Sequence, residues 1–143
     1  MKVVAYCVDT NEKMLLAKAN GKKHDITVIS NALNLDTVGY ADKKIAVIVC
    51  SKENIDTELL AAFSSLGVQL LITKFGLDVS TMENARYNYD ISIHPVTENW
   101  LPQKSSETRE VKEKQRNGLE NVYGEIISVL DNWQQKAVRS DSK

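Results

Sequence analysis

Five short apolar runs, spaced by intervals of helical character, constrain this chain more than any other feature. They are VVAYCV (3–8), ITVIS (26–30), IAVIVC (45–50), QLLITK (69–74) and DISIHP (90–95). All are rich in Val and Ile, and the third and fourth do not alternate strictly, as parallel strands buried on both faces do not. The intervals read as helices. Residues 11–23 carry Met14, Leu15 and Ala19, with Gly21 as the stop. Asp56 caps a helix holding Leu59, Leu60, Ala62, Phe63 and Leu66, and Gly67 ends it. Residues 80–86 form a short helix with Met82 and Ala85, while 31–40 is the weakest interval, with room for a single turn.

Strand alternating with helix specifies a parallel sheet with right-handed crossovers. For five strands the expected arrangement is flavodoxin-like, an α/β three-layer sandwich in the order 2-1-3-4-5, whose ligands sit beyond the carboxyl ends of the strands. That rim would carry residues 7–10, 50–53, 74–78 and 94–95.

After this core (1–101) comes a polar stretch, 102–118, that reads as a linker or solvated helix. Residues 119–138 then place Leu119, Val122, Tyr123, Ile126, Val129, Leu130 and Trp133 at three- and four-residue spacings. This is an amphipathic helix, packing on the core or on another copy.

Composition narrows the function classes. With 43% hydrophobic and 26% charged residues and a formal net charge of −1, the chain is globular and offers no electrostatic reason to bind nucleic acid or a membrane surface. No apolar run approaches a membrane span, and Met1-Lys2 leads straight into the first strand rather than a signal peptide. Two cysteines are too few for a disulfide framework, so the expected compartment is the cytoplasm. Cys7 and Cys50 are expected as free thiols at the rim, because side chains on neighbouring strands point the same way and not toward each other.

The familiar nucleotide signatures are missing. CVDTNEKM, after the first run, holds no glycine, and no phosphate loop occurs. His24 and His94 stand apart and no paired-cysteine spacing exists, so no metal site is expected. His24, among lysines, reads as a surface residue, and His94 ends a strand at the rim. A phospho-receiver shares the strand order, and Asp9 supplies one acid, but strand three ends in Cys50-Ser51 with no acceptor carboxylate.

The fourth rim segment is the most informative. Lys74-Phe75-Gly76-Leu77-Asp78, then a helix holding Ala85-Arg86, then Asp90-Ile91-Ser92-Ile93-His94-Pro95, resembles the substrate domain of D-isomer-specific 2-hydroxyacid dehydrogenases, the D-lactate dehydrogenases among them. Val3-Val4-Ala5-Tyr6 and the helix start Ile55-Asp56-Thr57-Glu58-Leu59-Leu60 fit the same pattern, so the resemblance covers residues 1 to about 101. It implies that the Phe75 and Gly76 N–H groups hold a substrate carboxylate, while Cys50, Ser51, Lys74 and His94 stand on the cleft rim that the strand order defines. The family's NAD-binding domain, with its catalytic arginine, glutamate and histidine, is inserted where this sequence has only 102–118. Thr81 stands where the family usually has an acid, and residues 87–89 replace a usual glycine. Residues 120–134 resemble the helix that returns to the substrate domain.

Hydride transfer needs a nicotinamide and a general acid–base, so the isolated chain is expected to be inactive, with no catalytic residue and no bound NAD. Three roles remain open. One is a silent relative that binds a small 2-hydroxy or 2-oxo acid or regulates a full-length dehydrogenase. Another is the substrate half of a split dehydrogenase. The third is a dimeric flavodoxin-like interaction module with no ligand.

Overall fold

A computed structural model describes residues 1–50, 55–96 and 122–135. The elements run β1 (Lys2–Tyr6), α1 (Thr10–Asn20), β2 (Asp25–Val28), a 3-10 turn (Val38–Ala41), β3 (Ala46–Val49), α2 (Thr57–Leu66), β4 (Leu70–Thr73), α3 (Val79–Tyr89) and β5 (Ser92–Pro95). A further helix, α4, occupies residues 122–135. The five strands form one sheet in the order β2-β1-β3-β4-β5, and every pairing is parallel.

The continuous apolar runs are explained by the two faces. On one, Val3, Ala5, Ala46, Ile48, Leu70 and Ile72 meet Leu16 of α1 and Val122, Tyr123, Ile126, Ile127 and Leu130 of α4. On the other, Val4, Tyr6, Val47, Val49 and Leu71 meet Leu59, Leu60 and Phe63 of α2 and Ala85 of α3. Successive strand residues alternate between faces, yet both faces are covered, so β3 is apolar throughout and β4 is apolar up to its last residue, the buried Thr73.

The strands are shorter than the apolar runs. β1 stops at Tyr6 because Cys7 adopts a left-handed backbone, φ 59. Helix ends follow sequence chemistry closely. Asp9 and Asp56 accept hydrogen bonds from Glu12 N and Leu59 N, satisfying first-turn donors. Gly67, at φ 97, takes the left-handed C-cap that a side chain would strain.

α4 lies on the chain's own sheet. Val122, Ile126 and Leu130 are buried and Trp133 is partly buried, whereas Leu119 lies outside the described residues. The expected surface position of His24 is overturned. The residue is 6% exposed, and its Nε2 lies 2.8 Å from Asp131 Oδ1 of α4. The carboxylate only accepts, so Nε2 carries the proton. Asn20, also buried, brackets the His24 backbone through bonds to its N–H and its carbonyl. The lysines flanking His24 in sequence misled because the partner that buries it is 107 residues away.

Candidate functional site

β4 ends at Thr73, and a loop over residues 74–78 leads into α3. Thr73 is fully buried, and its hydroxyl donates to the Phe75 carbonyl at 2.7 Å. That carbonyl and the Gly76 N–H belong to one peptide group. The chain has no cis peptide among its described residues, so the two point in opposite directions. Thr73 therefore draws the oxygen toward the core and turns the Gly76 N–H away from it.

The Phe75 and Gly76 N–H groups donate to nothing among the described residues. Gly76 is exposed, its φ is outside the left-handed region, and a Cβ placed on it would meet nothing within 4 Å. Backbone strain therefore does not require glycine here. Glycine leaves open space where a Cβ would stand, beside a peptide whose N–H is unpaired among the described residues. Asp78, at the N-cap of α3, makes no side-chain capping bond, unlike Asp9 and Asp56.

Lys74 does not serve this turn. Its ammonium is paired with the Glu12 carboxylate of α1, donates to the Tyr123 hydroxyl at 3.3 Å, and lies 5.1 Å from the centre of the Tyr123 ring. Lys74 and Glu12 side chains are only 12% and 18% exposed, so each charge depends on the other. The Tyr123 hydroxyl also makes a long contact, 4.0 Å, to Cys50 Sγ. Burial pushes the Cys50 thiol up to about 11, Lys74 opposing and Glu12 adding to the rise. Burial also drives the Tyr123 hydroxyl far above the usual range, with Cys50 adding to it. Lys74, Glu12, Tyr123 and Cys50 thus form one partly buried cluster at the carboxyl ends of β3 and β4.

The remaining rim candidates fall as follows. Cys50 is buried beneath Tyr123, and neither cysteine is in a disulfide. Ser51 lies outside the described residues. His94 is exposed at the end of β5 and lines a groove between β5 and α3. Sequence reasoning missed Thr73, Glu12 and Tyr123 as parts of the rim. A threonine two residues before an acceptor carbonyl is a signal that could have found Thr73. Glu12 and Tyr123 are linked to Lys74 only through the fold.

No protein-family model matches the sequence, nor does any curated protein. Solved structures do. The apo D-lactate dehydrogenase from Escherichia coli superposes with a TM-score of 0.58 and 16% identity, over 72% of this chain and 31% of that one. A D-isomer-specific 2-hydroxyacid dehydrogenase from Lactobacillus delbrueckii ssp. bulgaricus gives 0.58 and 21%, over 67% and 30%. A D-2-hydroxyisocaproate dehydrogenase gives 0.58 and 16%, over 68% and 30%. The likeness is one of fold: this α/β sandwich matches part of each of these dehydrogenases and spans about 30% of their length. Among the described residues no helix is long and apolar enough to cross a membrane.

Proposed function

We propose that this chain is a binding domain for a small 2-hydroxy or 2-oxo acid, holding the acid's carboxylate on the Phe75 and Gly76 N–H groups, and that by itself it transfers no hydride. The observation that carries this reading is the Thr73 hydroxyl on the Phe75 carbonyl, which aims the Gly76 N–H away from the core. Charge-assisted bonds from two backbone donors suit a carboxylate, and neither donor must first break another bond. The structures of similar fold are of dehydrogenases named for D-lactate and D-2-hydroxy acids, which supports this class of ligand.

Hydride transfer needs a nicotinamide and a general acid–base beside the substrate. Lys74, the cation nearest the turn in sequence, is committed to Glu12. His24 is committed to Asp131. Neither is free to act as an acid–base toward an acid docked at the turn. The chain would act by holding the acid, either for its own sake or for a full-length dehydrogenase.

Titration calorimetry with pyruvate and D-lactate tests the binding, with pyruvamide as the uncharged control. Two backbone donors correspond to a Kd in about the millimolar range. Saturable binding of the acids but not the amide is expected, together with no NADH oxidation in the presence of pyruvate. Absence of acid binding, or NADH turnover by the chain alone, would overturn the reading.

A further inference from the structure

α3 carries apolar side chains on two sides. Ala85 packs into the core, while Val79 and Tyr87 remain 65% and 77% exposed. A groove of about 390 Å³ runs between α3 and β5, lined by Val79, Met82, Glu83, Arg86, Tyr87 and Ile93 among others. Glu83 and Arg86 are exposed on this face, and neither enters an ion pair among the described residues. At 3.6 residues per turn, Val79, Glu83 and Arg86 lie along one stripe, with Met82 and Tyr87 on its flanks.

We propose that this stripe is a self-association surface, on which α3 packs antiparallel against α3 of a second copy about a two-fold axis. The charges choose both partner and orientation. An antiparallel pair centred between Asn84 and Ala85 sets Glu83 of each copy opposite Arg86 of the other, so one symmetric contact makes two ion pairs. The same register brings Val79 of each copy within about one helical turn of Tyr87 of the other, covering the exposed apolar groups. A parallel packing would instead set Glu83 against Glu83. One helix face buries little area, so the dimer is weak and forms in about the tens to hundreds of micromolar. This surface is independent of the Phe75–Gly76 turn and stands whether or not that turn binds an acid.

Sedimentation equilibrium of the full chain, read across that concentration range, tests the proposal. The wild type should pass from monomer toward dimer as concentration rises. Glu83→Arg and Arg86→Glu should each weaken association by about tenfold or more, and the double exchange should restore most of it, because the pairs reform with reversed polarity. Tyr87→Ser should weaken association without altering the charges, and the exposure of all three positions leaves the fold intact by circular dichroism. A wild type monomeric throughout the range would overturn the proposal. So would a dimer that none of these exchanges disturbs, since it would be held by another face.

Discussion

The Tyr123 hydroxyl of α4 lies 3.3 Å from Lys74 Nζ at the carboxyl end of β4, so the last described helix closes over a buried ion pair. Removing one partner of such a pair leaves an uncompensated charge, and removing both does not. Glu12→Gln and Lys74→Met should each lower stability by about 2–4 kcal/mol. The double substitution should cost distinctly less than the sum, measured as urea midpoints in a double-mutant cycle. Strictly additive losses would show that the pair is not coupled.

The second prediction concerns the other end of α4. His24 Nε2 meets Asp131 Oδ1 at 2.8 Å, with Lys23 also 3.6 Å from the Asp131 carboxylate. Asp131→Ala leaves a buried imidazole N–H without an acceptor, a loss of about 1–3 kcal/mol. Hydrogen exchange should accelerate across residues 122–135 more than in β3 or β4. Equal acceleration throughout would mean that the contact does not anchor the helix.

Much of the fold was legible because both sheet faces are covered, so β3 and the first three residues of β4 appear in the sequence as continuous apolar runs. Helix ends at Asp56 and Gly67 were legible because capping is a local chemistry. The rim was less so. Glu12 and Lys74 are 62 residues apart and His24 and Asp131 are 107 apart, and nothing in local sequence announces either pair. The Phe75–Gly76 turn stood out by resemblance, whereas the buried threonine that orients it emerged only from the hydrogen bond.

Alkaline pH supplies a third prediction. Burial raises the Cys50 thiol from its ordinary 9.0 to about 11. A raised folded value favours the protonated form, so the stabilisation is full below pH 9 and is lost as pH climbs from 9 to 11. The loss from this group is about 2–3 kcal/mol. The buried Tyr6 hydroxyl, pushed up to about 12, acts in the same direction above its ordinary 10.0. Urea midpoints should fall between pH 8.5 and about 11. Cys50→Ala should flatten that fall, and an unchanged slope would remove Cys50 as a cause.

Thr73 supplies the fourth. Thr73→Val keeps the shape and removes the donor to the Phe75 carbonyl. One lost hydrogen bond should cost about 1 kcal/mol of stability. Acid binding should weaken far more than that stability change alone suggests, because the Gly76 N–H is no longer held outward. Unchanged affinity in a folded Thr73→Val chain would separate the threonine from the site.

A carboxylate resting on the Phe75 and Gly76 N–H groups, as proposed, would change the surroundings of both amide protons. The most direct measurement is a nitrogen–proton correlation spectrum of the full chain titrated with pyruvate at constant pH and ionic strength. The Phe75 and Gly76 amide protons should move downfield along one saturable curve, with pyruvamide leaving them in place. If those two resonances stay fixed while the acid is raised well beyond the millimolar range, or move no more than amides on the far side of the sheet, the turn does not bind a carboxylate.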